Sequence, residues 1–179
     1  KREAVDVCGE LHDTYRVVTV ERLVNLATGD VNSTNEADPN VYFIASHVNP
    51  DQVVRLVRAV RSGSPHSRVL IHHDYKVSHL DPQRVLSIGN VDLLGDHGPV
   101  QWGGFTQCMM IHKSMRWLLD NREFDWVVYL SGQDYPIQPL ARIERYLTDT
   151  AHDGFLQCQP VEQLDWVEGP QRYLYQYCE

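Results

Sequence analysis

The chain has 179 residues, a formal net charge of −8 at pH 7, and 42% apolar and 22% charged residues. This length and composition suit one globular α/β domain, or part of a larger one. The acidic balance argues against a nucleic-acid partner, because binding to a phosphate backbone relies on clustered lysine and arginine. No apolar run approaches the roughly 20 residues that a membrane span needs, and no signal-like start is visible.

Residues 1–40 are predicted to form a poorly defined N-terminal extension, because the composition from residue 27 onward is that of a loop. Residues 41–179 are predicted to form the domain proper. Four cysteines are spread along the chain without a C-x-x-C pair, which indicates reduced thiols rather than a zinc site and leaves one disulfide open. They are Cys8, Cys108, Cys158 and Cys178.

From residue 41 onward, strand and helix patterns alternate. Strands are predicted at residues 41–46, 68–72, 91–94, around Trp126 and at 155–158. Helices are predicted from Pro50, at 80–86, after Gly103-Gly104, and at 140–147. This alternation predicts an α/β fold, a Rossmann-like and mostly parallel sheet with helices on both faces.

Polar side chains follow three of the predicted strands. His47 follows the first, Asp74 the second, and Asp134 lies in the turn Ser131–Ile137 after the strand at Trp126. Because open α/β sheets bind ligands at the carboxyl ends of their strands, these residues are candidates for one site. A carboxylate such as Asp74 accepts hydrogen bonds from a ribose or an imide N–H. The alternatives are a solvated turn at Asp74 and a cap at Asp134.

A second candidate segment is Gln101-Trp102-Gly103-Gly104. Paired glycines let backbone approach a ligand closely, and Trp102 offers a flat face for a base, although a tight turn beside a core tryptophan has the same pattern. No Walker loop, dinucleotide fingerprint, Gly-x-Ser-x-Gly or Asp-x-Asp motif is present. His72 and His73 are neighbours in a strand and so face opposite sides, which disfavours a metal site.

The methionines of the long helix have a simpler interpretation. Met109, Met110 and Met115, with Leu118 and Leu119, recur along the pattern that follows Gly103-Gly104. We interpret this stripe as the core face of the helix rather than as a binding site.

Together these segments resemble the glycosyltransferase family of core-2/I-branching N-acetylglucosaminyltransferases and peptide O-xylosyltransferases. Residues 42–47 are similar to the family's first nucleotide-binding strand, and Ile71-His72-His73-Asp74 to its Ile/Val-His-x-Asp pattern. Trp102-Gly103-Gly104 is similar to the Trp-Gly-Gly segment of the xylosyltransferase branch, and Ser131–Ile137 to the family's most recognisable motif. The resemblance covers residues 41–177 in the family's order.

The resemblance implies a GT-A type fold that binds a UDP-sugar donor in residues 41–179. It also implies transfer of xylose or N-acetylglucosamine to a hydroxyl acceptor with inversion, without a metal or another cofactor. It would place Asp74 at the uracil or ribose, Trp102 and Gly103 near the base, and His47 beside the nucleotide. The same resemblance would place three residues at the donor–acceptor junction, namely Gln133, Asp134 and Tyr135.

In relatives the catalytic base and the basic groups that hold the diphosphate come later in the chain. The resemblance therefore places the base beyond Glu179, and we expect weak or absent transfer by these residues alone. The alternative is a non-catalytic carbohydrate- or partner-binding domain that keeps the fold. Without an anchor or a cysteine framework we expect a cytoplasmic location, with the Golgi lumen of animal relatives as the alternative.

Overall fold

The computed structural model describes residues 38–95, 100–101 and 103–155. Within these ranges, four strands alternate with four helices. The strands are β1 (Asp38–Ser46), β2 (Arg68–His73), β3 (Val91–Leu94) and β4 (Phe124–Ser131). The helices are α1 (Pro50–Gly63), α2 (Pro82–Leu86), α3 (Phe105–Asn121) and α4 (Leu140–Asp149).

Strands β1 and β2 are longer than predicted. Strand β1 begins at Asp38 rather than at residue 41, because Asp38 and Asn40 pair with β4. Strand β2 continues through His73, which pairs with Ser46 of β1. These extensions depend on partner strands that lie far away in the sequence, so the local pattern does not reveal them.

The predicted helix at 80–86 is shorter in the structure. It begins at Pro82, because the side chain of Asp81 accepts a hydrogen bond from the backbone N–H of Gln83. Proline then takes the first helical position, where its missing N–H costs nothing. Of the last predicted strand, only Phe155 is described, and it lies outside any strand. Residues 156–158, like residues 1–37 of the predicted extension, lie outside the described residues.

The described strands form one parallel sheet in the order β3-β2-β1-β4. The predicted α/β class, consistent with a GT-A type fold, is confirmed. The chain moves from β1 through β2 to β3 in one direction and then returns to the other side of β1 as β4. The order therefore reverses between β1 and β4, and such a switch point is where open α/β sheets form their ligand crevice.

Helices cover both faces of the sheet. On one face, alternate residues of β1 and β2 pack against α1; the members of this cluster include Tyr42, Ile44, Val69, Ile71, Val53, Val57 and Val60. On the other face, the remaining alternate residues pack against α3; this cluster includes Val41, Phe43, Leu70, Met110 and Leu118. The predicted core face of the long helix is confirmed at Met110 and Leu118, which are 5% and 0% exposed.

Helix α1 follows β1 through a sharp turn. Asn49 adopts a left-handed backbone conformation with φ of 52°, which asparagine tolerates better than most residues. Pro50 then begins the helix. Asp51 lies in the first turn, at the positive end of the helix dipole, and Arg61 lies in the last turn, at the negative end. This turn sets the direction of the chain at the carboxyl end of β1.

A hydrogen-bonded carboxylate fastens α4 to the same face of the sheet as α1. Glu144 accepts hydrogen bonds from the hydroxyls of Tyr42, Ser64 and Ser67 at 3.0, 2.5 and 2.9 Å. Burial, and then the charge of Glu144, raise the pKa of Tyr42, so its hydroxyl remains a donor at neutral pH. These hydrogen bonds join α4 to the middle of β1 and to the segment that precedes β2, away from the carboxyl ends of the strands.

The described residues up to Ala151 belong to one compact unit, and residues 152–155 belong to a second. In the ranges that the structure describes, no helix has both the length and the apolar character needed to cross a membrane. Every element that bears on the candidate site below lies in the first of these units.

Candidate functional site

A cavity of about 250 Å³ opens at the carboxyl ends of β1, β2 and β4. Its position is that of the switch point between β1 and β4, where the fold class predicts a ligand. The start of α3 and the preceding segment close its other side. The described residues that line it are Ala45, Ser46, His47, Val48, His72, Asp74, Val77, Val100, Gln107, Met110, Tyr129, Ser131, Gly132 and Gln133.

Asp74 is a buried carboxylate at the end of β2, with 5% of its surface exposed. Its Oδ1 accepts a hydrogen bond from the backbone N–H of Lys76 at 3.0 Å, and its Oδ2 accepts one from Val100 at 3.2 Å. The carboxylate therefore holds the segment at Val100 against the strand end. Since each carboxylate oxygen has two lone pairs, Asp74 keeps acceptor capacity for a ligand.

His47 lies in the same cavity, one residue beyond β1. Its side chain is exposed, and its backbone carbonyl accepts a hydrogen bond from the hydroxyl of Ser78 at 2.8 Å. This bond ties the loop after β2 to the end of β1. The imidazole of His47 thus stands at the mouth of the cavity, where it can donate to or accept from a ligand.

His72 and His73 point to opposite faces of the sheet, as their adjacent positions predict. Both residues are buried; His72 borders the cavity, and His73 has its Nδ1 2.9 Å from the hydroxyl of Ser46. The Nε2 of His73 lies 3.0 Å from the carbonyl of Ser78, which assigns the ring proton to Nε2. Burial lowers the pKa of His73, against the opposing effects of the Ser78 bond and Asp74, so the ring is held neutral.

Gly132 allows the chain after β4 to pass directly against β1. A Cβ at this position would lie 2.6 Å from the Cβ of Ser46, closer than real Cβ atoms approach. The backbone N–H of Gly132 also donates to the carbonyl of Ala45 at 2.8 Å, which extends the pairing of the two strands. Gly132 therefore positions Gln133, which lines the cavity from the β4 side.

Asp134 and Tyr135 lie apart from this group. The carboxylate of Asp134 accepts a hydrogen bond from the backbone N–H of Ser131 at 2.7 Å, and the residue is exposed. Tyr135 is 50% exposed. Among the residues that the structure describes, neither belongs to the lining of the cavity. The structure thus brings His47, Asp74 and Gln133 together, and turns Asp134 back onto its own strand.

The glycine segment before α3 borders the cavity. Trp102 lies outside the described residues. Gly103 has φ of 76°, a conformation that favours glycine, and its N–H donates to Oε1 of Gln107 at 2.7 Å. Gly103 does not itself line the described cavity, but it fixes the side chain of Gln107, which does.

Several lining residues were not predicted from the sequence. Tyr129 belongs to the run Trp126–Leu130, which the pattern assigns to a buried strand, yet 44% of it is exposed. Met110 packs in the core, as the stripe of the long helix predicts, and it also lines the cavity. The only local signal for Tyr129 is a polar hydroxyl within an otherwise apolar run.

Within the described ranges, no three His, Cys, Asp or Glu side chains are arranged to hold a metal ion. Cys108 is a free, exposed thiol on α3, and the other three cysteines lie outside the part of the chain that the structure describes.

Comparison with known proteins identifies the family of this chain. No curated protein matches the chain. The family model described as Core-2/I-Branching enzyme matches residues 33–173, which include every strand, every helix and the whole cavity described above. Membership of this family implies glycosyltransferase activity in general, and through it the binding of a nucleotide sugar and an acceptor. The chain therefore belongs to the core-2/I-branching enzyme family of glycosyltransferases.

Proposed function

We propose that this chain carries the donor-binding half of an inverting glycosyltransferase, with a UDP-sugar bound in the cavity between β1, β2 and β4. The observation that carries the proposal is that His47, Asp74 and Gln133, from three separate strand ends, share one cavity at the switch point of the sheet. Xylose and N-acetylglucosamine are the donor sugars that the family resemblance favours, and that resemblance also favours transfer without a metal.

The cavity suits the nucleoside part of the donor. Asp74 offers acceptor oxygens, as a ribose diol or the imide N–H of uracil requires. The apolar part of the wall includes Val77, Val100 and Met110, against which a flat base or ribose can pack. Among the described lining residues there is no lysine or arginine, so this part of the cavity is not built to hold the diphosphate.

In the proposed reaction, the acceptor hydroxyl oxygen forms a bond to the anomeric carbon of the sugar. The bond from that carbon to the diphosphate oxygen breaks, and UDP leaves with the electron pair. The acceptor proton passes to a general base. Asp74 is the only carboxylate among the described lining residues. It already accepts hydrogen bonds from two backbone N–H groups, so we do not assign the role of general base to it.

Calorimetric titration of the chain with UDP tests the proposal. We expect UDP to bind, and Asp74→Asn to weaken binding about tenfold or more, because hydrogen bonds to a charged group contribute about 1.5–3 kcal/mol. Asp125→Asn is the matched control. Asp125 is exposed near the start of β4, about 13 Å along the strand from Tyr129, the first residue of β4 that lines the cavity, at roughly 3.3 Å per residue.

Repeating the titration with EDTA tests metal independence, for which we expect unchanged affinity. A folded chain without measurable affinity for UDP or UDP-sugars would refute the proposal. So would equal losses of affinity in Asp74→Asn and Asp125→Asn, because the cavity would then not be the site.

A second function is favoured by the bonds that Asp74 already makes. Asp74 accepts hydrogen bonds from the backbone of Lys76 and Val100 and so has a structural role. Such a role is compatible with a domain that binds a nucleotide or carbohydrate without catalysis. Incubation with UDP-xylose or UDP-N-acetylglucosamine and acceptor sugars separates the two. Release of UDP that depends on an acceptor supports transfer, whereas binding without release supports the non-catalytic function.

A further inference from the structure

Tyr129 packs against Phe43 in the cavity wall. It pairs with Phe43 in the register of β1 and β4, and the two rings meet at 5.3 Å between centroids with an angle of 50° between planes. Phe43 is fully buried, so it anchors one side of the tyrosine ring. Tyr129 is nonetheless 44% exposed and lines the cavity. Part of an aromatic surface is thus presented to whatever occupies the cavity.

The hydroxyl of Tyr129 is available to a ligand. Among the residues that the structure describes, none makes a hydrogen bond to it, although it stands in a partly buried wall. Burial, and then the negative charge of Asp134, raise the pKa of Tyr129. The group therefore stays a neutral phenol at physiological pH and can donate its proton to an acceptor oxygen.

Tyr129 and Asp74 lie on opposite sides of the cavity, since β1 separates β4 from β2. Neighbouring strands are about 4.8 Å apart, so β2 and β4 are about 10 Å apart across the sheet. Tyr129 pairs with Phe43, whereas Asp74 directly follows the Ser46–His73 pair, so the two residues are also offset along the strands by about four residues, or about 13 Å. A nucleoside bound at Asp74 would extend its diphosphate and sugar away from that residue. The β4 side carries Tyr129 and Gln133, an aromatic face with a hydroxyl and an amide, which suits a sugar better than a phosphate.

We propose that Tyr129 binds the transferred sugar of the donor, with its ring against the apolar face of the pyranose and its hydroxyl donating to a sugar oxygen. This inference rests on the proposed function, because it needs the nucleoside to occupy the Asp74 side. Tyr129 would then make the chain bind a UDP-sugar more tightly than free UDP. Gln133 would provide a second polar contact to the same sugar.

The test compares the affinities of UDP, UDP-xylose and UDP-N-acetylglucosamine for the chain and for two variants. Tyr129→Leu removes the ring and the hydroxyl, whereas Tyr129→Phe keeps the ring and its contact with Phe43. We expect Tyr129→Leu to weaken binding of the preferred UDP-sugar about tenfold and binding of UDP less than twofold. Tyr129→Phe should show a smaller loss, again confined to the UDP-sugar.

Tyr146→Leu is the matched control, because Tyr146 is a 60% exposed tyrosine on α4. That helix packs on the other face of the sheet through Leu140 and Ile143. Equal losses for UDP and UDP-sugar in Tyr129→Phe would overturn the inference, because the tyrosine would then contact the nucleotide. Unchanged affinities in both Tyr129 variants would also overturn it while leaving the proposed function intact. A chain that binds no UDP would overturn both.

Discussion

The replacement Gly132→Ala tests whether the close passage of the chain after β4 against β1 holds the site together. The added Cβ would lie 2.6 Å from the Cβ of Ser46 and 3.3 Å from both the Cα of Ser46 and Cγ2 of Val53. Carbon atoms pack at about 3.5–4.0 Å, so the turn must move by about 1 Å. The same movement stretches the 2.8 Å hydrogen bond from Gly132 N–H to the carbonyl of Ala45.

The expected loss of stability depends on which atoms the added Cβ would clash with. Overpacking typically costs about 1–3 kcal/mol. The nearest atoms are the Cβ and Cα of a residue in the central strand rather than the end of a flexible side chain, so we expect the upper part of that range, about 2–3 kcal/mol. Urea unfolding followed by circular dichroism measures this difference. Gly95→Ala is the control, since a Cβ there meets nothing within 4 Å, and we expect a change within about 0.5 kcal/mol.

A loss below about 0.5 kcal/mol for Gly132→Ala would refute the steric argument. A second comparison tests its cause. Ser46→Gly removes the atom that the new Cβ would strike, so Gly132→Ala should cost less in that background. If the full penalty persists in the double variant, the clash with Ser46 is not its source.

Three further changes test other parts of the fold, each by urea unfolding. Burial lowers the pKa of His73, so below about pH 6.5 the unfolded chain binds more protons than the folded one, and stability should fall as the pH drops; His73→Gln should flatten that fall. Glu144→Ala should cost about 1–3 kcal/mol because the buried hydroxyl of Tyr42 loses its acceptor, and Glu144→Gln should cost less. Arg122→Ala removes two hydrogen bonds to Asp92 and should cost about 1 kcal/mol, less in 1 M NaCl. A flat pH profile already in the wild type, equal losses for both Glu144 variants, or a salt-independent Arg122 effect would contradict these expectations.

The alternation of strands and helices was predictable because it depends on patterns that span only a few residues. The period of Val53, Val57 and Val60 and the prolines that begin α1 and α2 act over a few residues, so they identify elements without knowledge of their partners. Boundaries set by pairing were less predictable. The start of β1 at Asp38 depends on β4, which lies more than eighty residues later in the chain.

Part of the site was predictable for a topological reason. Polar residues directly after parallel strands gather at one edge of the sheet, which is why His47 and Asp74 share a cavity. The direction of an individual side chain was not predictable. Both Asp134 and Asp74 lie in the turn that follows a strand, but the carboxylate of Asp134 accepts from Ser131 within its own turn, whereas that of Asp74 accepts from the segment at Val100.

The sequence by itself determined that strands and helices alternate, and so indicated an α/β fold with a mostly parallel sheet, because hydrophobic period and turn residues are local properties. Only the tertiary structure decided the order β3-β2-β1-β4, and with it the crevice between β1 and β4. Tyr129 shows the consequence. Its place in an apolar run predicts burial, yet the packing of β4 against β1 and of α3 across the sheet leaves the ring open to the cavity. Exposure depends on contacts between distant segments, and a local pattern does not contain them.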